Sequence, residues 1–246
     1  VAPANPERGL PRIQASYLLF DAETLTLQAT LDGTALTTLR TPAVSLAAVR
    51  PALGRFDEPL RVVVFGAGPQ AVGHVQTLAA ITPEPLASVT FLVRQPNRAA
   101  PDAAALGDVA GTDSPHARTA LRGAHVIGCA TTARTPLFPS DAIGQNSVVI
   151  AVGSHEPEAR ELDSALLARS TVIVEDSATA LREAGDVILT CNEGALDRGS
   201  LIGMSEVIAG GAQVPADRAV VFKSVGMSWQ DLVIANAVVR SATHQA

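Results

Sequence analysis

The chain has little of what most specialised protein classes require. It holds only two cysteines in 246 residues, Cys129 and Cys191. Each follows an apolar run, which excludes a disulfide framework and suits reduced, buried thiols in a cytoplasmic protein. The five histidines lie far apart and neither cysteine has a Cys or His at a useful offset, so metal-ligand spacing is missing too. Lysine and arginine total 18 against 24 acidic residues, are scattered, and leave a net charge of −6. Such a surface does not neutralise a phosphate backbone, which argues against nucleic acid as a partner. The longest apolar runs are of the Val62-Val63-Val64-Phe65 kind, too short for a membrane span, and no secretory signal is visible. There is no internal repeat. What remains is 47% hydrophobic and 17% charged, which suits a well-buried core in one large domain, or in one domain with a smaller partner.

Hydrophobic periodicity divides the chain. Apolar, β-favouring runs at 17–20 and 25–31, joined by Asp21-Ala22-Glu23-Thr24, predict an antiparallel pair. From 34 to about 53 the spacing becomes helical through Leu36, Leu39, Ala43, Leu46 and Val49. Pro42 should begin a new helix there or kink this one. After a polar link at 54–59, strands are expected at 61–65, 89–93, 125–130, 147–152, 171–175 and 219–222. Helices are expected at 69–81, 115–122, 162–169, 177–183, 203–209 and 228–240. Short apolar strands alternating with helices predict an α/β doubly wound parallel sheet. Residues 99–117 are Ala-rich and weakly patterned.

One local pattern carries chemistry. The run Arg61-Val62-Val63-Val64-Phe65 leads into Gly66-x-Gly68-x-x-Ala71 and then an apolar helical stretch. The first glycine permits a tight turn, the second lets backbone approach a pyrophosphate, and the small third residue lets helix and strand pack closely. The helix N-terminus offers unpaired amides and partial positive charge to the phosphates. Pro69 suits the first helical turn, where a missing N–H costs nothing. The turn therefore predicts a nicotinamide dinucleotide, and the end of the second strand selects which. An acidic residue there binds the ribose hydroxyls of NAD, whereas an Arg accommodates the 2′-phosphate of NADP. Here the strand ends in Arg94-Gln95 with Arg98 close behind and no carboxylate, which favours NADP over NAD; the alternative for Arg94 is a solvated surface residue.

Nearly the whole chain resembles the ornithine cyclodeaminase/mu-crystallin family. The matching stretches are Thr37-Thr38-Leu39-Arg40-Thr41-Pro42-Ala43, Gly66-Ala67-Gly68-Pro69-Gln70-Ala71, and Val152-Gly153-Ser154-His155-Glu156-Pro157 through Arg160-Glu161-Leu162-Asp163. Ala180-Leu181-Arg182-Glu183-Ala184-Gly185-Asp186 and Phe222-Lys223-Ser224-Val225-Gly226 complete the set. The resemblance implies a homodimer whose subunits pair a Rossmann domain, expected at 54–222, with a smaller α+β dimerisation and substrate domain built from both chain ends, 1–53 and 223–246. It implies that Arg40 contacts the cofactor phosphates near the substrate, that Pro69 and Gln70 lie on the pyrophosphate turn, and that Arg94 meets a 2′-phosphate. Ala130 and Thr131 would fall on a loop the cofactor crosses, Ala151 and Val152 beside the nicotinamide, and Ser224 and Val225 along the nicotinamide and substrate pocket. Independently, Thr131, Val152 and Ser224 follow predicted strands on the side where parallel sheets bind ligands. An internal salt bridge is the alternative for Arg40, and helix capping before Ser228 the alternative for Ser224.

Two features depart from the family pattern. His155 stands where cyclodeaminases carry an Asp implicated in moving a proton at the substrate nitrogen. A histidine, with a pKa of about 6.5 when unperturbed, can move protons but supplies no fixed negative charge. His155 is thus a candidate acid/base, or a loop residue at the start of a helix. The family's active-site Lys and carboxylate-binding Arg lie upstream of the segment matching Val1–Pro11, and the expectation is that this N-terminal part is missing here. The resemblance implies an NAD(P)-dependent oxidoreductase acting on the C–N bond of a small amino or cyclic imino acid, resembling ketimine and pyrroline-2-carboxylate reductases. Ornithine cyclodeamination and NADP-dependent small-ligand binding without turnover, of the crystallin type, are the alternatives.

Overall fold

The computed structural model describes Ala2 and residues 4–243. The chain forms two compact units, one of residues up to Thr41 together with those from Gly226, the other Pro42–Val225. In the first, β1 (Ser16–Phe20) and β2 (Leu27–Asp32) form the expected antiparallel pair. The Asp21 carboxylate accepts from the amides of Glu23 and Thr24 at 3.1 and 2.8 Å, and Leu25 takes a φ of 56°. That local turn delays the second strand by two residues from its expected start.

Helix α1 (Gly33–Leu53) follows at once, its first amides at Thr34 and Ala35 capped by the Asp32 carboxylate. Pro42 does not begin a new helix, one of the two outcomes expected of it; the helix continues through Pro42 and Pro51. Each proline removes one ladder bond, and the hydroxyls of Thr38 and Thr41 in the preceding turns donate to the carbonyls of Thr34 and Thr37.

The larger unit holds β3 (Arg61–Phe65), α2 (Pro69–Ile81), β4 (Ser88–Val93), α3 (Pro101–Leu106), β5 (Asp108–Gly111) and α4 (Pro115–Gly123). Then come β6 (Val126–Cys129), β7 (Val148–Ala151), α5 (Ser164–Ala168), β8 (Thr171–Val174), α6 (Ser177–Glu183) and α7 (Gly185–Asn192). It ends with β9 (Ile202–Gly203), α8 (Met204–Ile208) and β10 (Val220–Lys223); α9 (Ser228–Thr243) belongs to the smaller unit, where it packs on β1. The eight strands from β3 onward form one sheet in the order β5-β4-β3-β6-β7-β10-β8-β9, with every pairing parallel. This is the doubly wound Rossmann-type α/β arrangement, with a small antiparallel sheet in the other unit.

The central strands are apolar on both faces because both are covered. Val63, Phe65, Ile127, Val149 and Val221 enter one core, with Phe65 stacked on Phe138 at 5.2 Å. Val62, Val64, Val126, Ile150 and Phe222 enter the other. Helix starts are set by side chains: Ser114, Asp163 and Asp176 accept from the amides of Ala117, Leu166 and Thr179. The chain winds outward from β3 through β5, then returns to place β6 on the other side of β3. That reversal opens a crevice at the carboxyl ends of β3 and β6.

Candidate functional site

The turn after β3 has the geometry its sequence requires. Gly66 has a φ of +100°, and a Cβ there would lie 2.6 Å from the carbonyl oxygen of Ala130. Conformation and space both demand glycine at this position. Its amide donates to Leu92 O of β4 at 2.9 Å, tying the turn to the sheet. Gly68 differs. Its φ of −86° is open to any residue, and a Cβ would meet nothing within 4 Å. The protein's own packing does not require a glycine there, whereas a pyrophosphate resting on the backbone would. Gly68 caps α2 without a side-chain hydrogen bond, Pro69 occupies the first turn, Gln70 is half-buried and Ala71 is fully buried beneath the turn. The helix N-terminus, which no side chain caps, and the open space over Gly68 fit a dinucleotide phosphate.

A cleft of about 380 Å³ runs from this turn to the end of β4, lined by Ala67, Gly68, Val93, Gln95, Arg98 and Ala99 among others. Arg98 lines it and is held to Gln95 Oε1 at 3.1 Å. Arg94, singled out from the sequence, is exposed and is not part of the lining.

Along the sheet edge lie the loops after β6, β7 and β10. Ala130 and Thr131 follow β6, Ala151 ends β7 with Val152 after it, and Ser224 and Val225 follow β10. They are tied in series, Ala130 N donating to Phe65 O, Val152 N to Cys129 O and Ser224 N to Ala151 O at 2.9–3.1 Å. The sheet order thus brings these loops beside the glycine turn.

Buried carboxylates hold the loops, and sequence reasoning gave them no role. Glu161 is fully buried. Its Oε1 accepts from the Thr131 amide (2.9 Å) and hydroxyl (2.7 Å), and its Oε2 from the Gly153 amide (2.8 Å). Asp186 at the start of α7 accepts from the amides of Glu161 and Leu162, both at 2.8 Å. Lys223, fully buried at the end of β10, lies 3.0 Å from Asp186 and donates to Ser154 O at 2.6 Å. Glu175, after β8, accepts from the Ser224 hydroxyl (2.8 Å) and the Val225 amide (2.9 Å). Ser224 therefore binds a carboxylate and does not cap α9.

Burial raises the Glu161 carboxyl, opposed by Lys223 and by the Thr131 hydrogen bonds. Burial first, and then the charges of Glu161 and Asp186, push the Cys129 thiol well up. That makes it a packing residue with no thiolate character. Cys191, also expected to be buried, is only half-buried. One sequence signal pointed to the cluster: Lys223 is the chain's single lysine and ends an apolar strand. Glu161 and Asp186 sat in recognised stretches, with nothing local to mark them.

His155 is exposed in the loop between β7 and α5. It does not start a helix, since α5 begins only at Ser164. Arg40 belongs to the smaller unit, where it contacts Asp231 at 3.2 Å and Gln230 Oε1 at 2.9 Å. The internal ion pair weighed from the sequence is thus present. Gly226, at a φ of +88°, leaves the guanidinium room: a Cβ there would lie 3.1 Å from both its terminal nitrogens. Among the described residues no group of three or more His, Cys, Asp or Glu could hold a metal, and no helix is long and apolar enough to cross a membrane.

Comparison with known proteins gives one answer. The model of the "Ornithine cyclodeaminase/mu-crystallin family" matches residues 1–246. The chain is 33% identical to the ketimine reductase mu-crystallin of Mus musculus over 235 residues, covering 93% of this chain and 70% of that protein. It is 32% identical to a Delta(1)-pyrroline-2-carboxylate/Delta(1)-piperideine-2-carboxylate reductase of Azospirillum brasilense, covering 94% and 71%. Among solved structures, the Delta(1)-pyrroline-2-carboxylate reductase of Thermococcus litoralis in complex with NADH and L-proline superimposes with a TM-score of 0.87. The identity is 27%, over 99% of this chain and 76% of that one. The iminosuccinate reductase of Paracoccus denitrificans in complex with NAD+ follows at 0.82 and 25%, over 99% and 74%. With its glycine turn, parallel sheet and matched sequence along its whole length, this chain belongs to the ornithine cyclodeaminase/mu-crystallin family.

Proposed function

We propose that the protein is an NAD(P)-dependent oxidoreductase that reduces the C=N bond of a small cyclic imino acid such as Δ1-pyrroline-2-carboxylate. The observation that carries this is the glycine turn at the sheet's reversal point, in a chain whose similar relatives are named ketimine and pyrroline-2-carboxylate reductases. When bound, the nicotinamide supplies a hydride to the imine carbon. The chain's own residues bind and orient. The turn Gly66, Gly68, Pro69, Gln70 and Ala71 receives the pyrophosphate at the N-terminus of α2. Ala130, Thr131, Ala151 and Val152 line the nicotinamide half, and Ser224 and Val225 border the substrate. Arg40 contributes positive charge towards the phosphates. His155 is the candidate proton donor to the substrate nitrogen. Cyclodeamination is less well supported, because reductases head the sequence relatives and His155 lacks a carboxylate's fixed charge.

The cofactor is NAD(P). Arg94 and Arg98 at the end of β4 favour NADP, and titration with NADH and NADPH tests that preference; tighter NADH binding would remove it. The smaller unit serves dimerisation and substrate binding. Its exposed Leu18, Phe20, Leu27, Leu232 and Val233 offer an apolar surface suited to a homodimer. Light scattering that gives a monomer mass would exclude that pairing. Two free thiols suit the cytoplasm. The activity itself is tested by following NAD(P)H oxidation with Δ1-pyrroline-2-carboxylate, beside proline formation from ornithine. Oxidation in the first assay and no proline in the second is the expected result. Tight NADPH binding without turnover in either would leave a binding protein.

A further inference from the structure

We infer that Glu161 is a positioning residue whose single carboxylate clamps the loops after β6 and β7 into the shape that receives the nicotinamide half of the cofactor. The inference rests on the reading above, which puts Thr131 and Val152 beside that ring. Thr131 and Gly153 belong to different loops. Glu161 bridges them, taking three hydrogen bonds, two from Thr131 and one from the Gly153 amide, on its two oxygens. The loops are pressed together as far as backbone allows. A Cβ on Gly153 would lie 2.2 Å from the Thr131 carbonyl oxygen and 2.4 Å from Glu161 Oε1.

The clamp is itself held from behind. Asp186 fixes the Glu161 backbone through two amides, while Lys223 joins Asp186 to Ser154, the residue after Gly153. A group accepting three hydrogen bonds at full burial is over-determined for a loop that only had to avoid solvent. Its geometry sets two strand-end loops at once, at the edge where parallel sheets bind ligands.

Glu161→Gln tests this by chemistry more than by shape. An amide oxygen can satisfy the Thr131 pair or the Gly153 amide, but its NH2 then faces a donor across the other contact. Affinities for NADH and for its nicotinamide-free fragment ADP-ribose are measured on wild type and variant, or for NADPH and 2′-phospho-ADP-ribose if wild type prefers those. The expected result is at least tenfold weaker binding of the whole cofactor, with the fragment held within twofold by the unaltered glycine turn. Equal loss of both, or loss of neither, overturns the inference. A wild type that binds neither ligand instead defeats the functional reading. Should the variant fail to fold, Thr131→Val is to show the same selective loss at smaller size. Amide exchange in unliganded wild type gives an independent check. Slow exchange at Thr131 and Gly153, matching β6 and β7, is expected, and fast exchange at either overturns the clamp.

Discussion

The glycine turn and the carboxylate-held loops lie along the same sheet edge but are built by opposite means. The turn is made by backbone. Gly66 needs its positive φ and its 2.6 Å approach to Ala130, α2 starts without a side-chain cap, and everything required is written within six consecutive residues. The loops after β6, β7 and β10 are made by side chains from afar. Glu161 lies 30 positions from Thr131, Asp186 lies 25 from Glu161, and Lys223 lies 69 from Ser154. A backbone-built site tolerates changes anywhere but on itself. A network-built site fails when any distant member is removed.

The largest effect that would sharpen this contrast comes from Lys223→Met, in β10. It leaves Glu161 and Asp186 as two buried carboxylates without their cation, and a loss of about 3–5 kcal/mol in unfolding free energy is expected by denaturant titration. Unchanged stability would mean that the network contributes nothing. Next is acid. His74 of α2 is buried between Gln70 O and Ser45 Oγ, and burial depresses its pKa from 6.5 to about 4. The unfolded chain therefore binds a proton that the folded chain refuses. Stability attributable to this residue is complete above pH 6.5 and declines as pH falls towards 4, by roughly 3 kcal/mol at most. Thermal melts of wild type and His74→Gln between those pH values check it, the variant's decline being the shallower.

The two glycines of the turn should part company. Gly66→Ala is expected to cost about 1–3 kcal/mol for its backbone conformation, with the Ala130 clash in addition, and to abolish cofactor binding. Gly68→Ala should leave the melting temperature level or raise stability by under about 1 kcal/mol, because its φ suits alanine. It should nevertheless weaken cofactor binding about tenfold or more, read by fluorescence titration. If both variants behave alike, the distinction between protein-required and ligand-required glycine is wrong. The smallest perturbation is none at all. Lys223, the only lysine and fully buried, should escape amine acylation in the native state and react on unfolding, as peptide mass analysis would reveal.

Legibility from sequence followed the same division. β3, β6, β7, β8 and β10 were readable because burial on both faces makes continuous apolar runs, though β6, β7 and β8 are shorter than their runs and β10 is shifted by one residue. β5 was not: Asp108-Val109-Ala110-Gly111 is a half-exposed edge strand in an Ala-rich stretch, and α3 before it starts only at Pro101. α7 begins on Gly185 and has no side-chain cap, so its start carried no signal, and β9 has two residues. Pro42 does not begin a new helix, because one lost ladder bond weakens a helix without ending it. At the site, the turn was complete in the sequence, whereas the roles of Glu161, Glu175 and Asp186 exist only once three strand ends are adjacent.

The position of β10 has a consequence for how the protein is made. It is the last strand in sequence, yet it sits between β7 and β8 and pairs with both. As the chain leaves the ribosome, residues 61–129 can assemble their strands in order, but β7 and β8 each keep an unsatisfied edge until Val220–Lys223 emerges. During that interval the nascent chain exposes two apolar strand edges of the kind that pair with other chains. The strand that ends the wait also delivers the buried lysine, so closure of the sheet and neutralisation of its acidic pocket are one event.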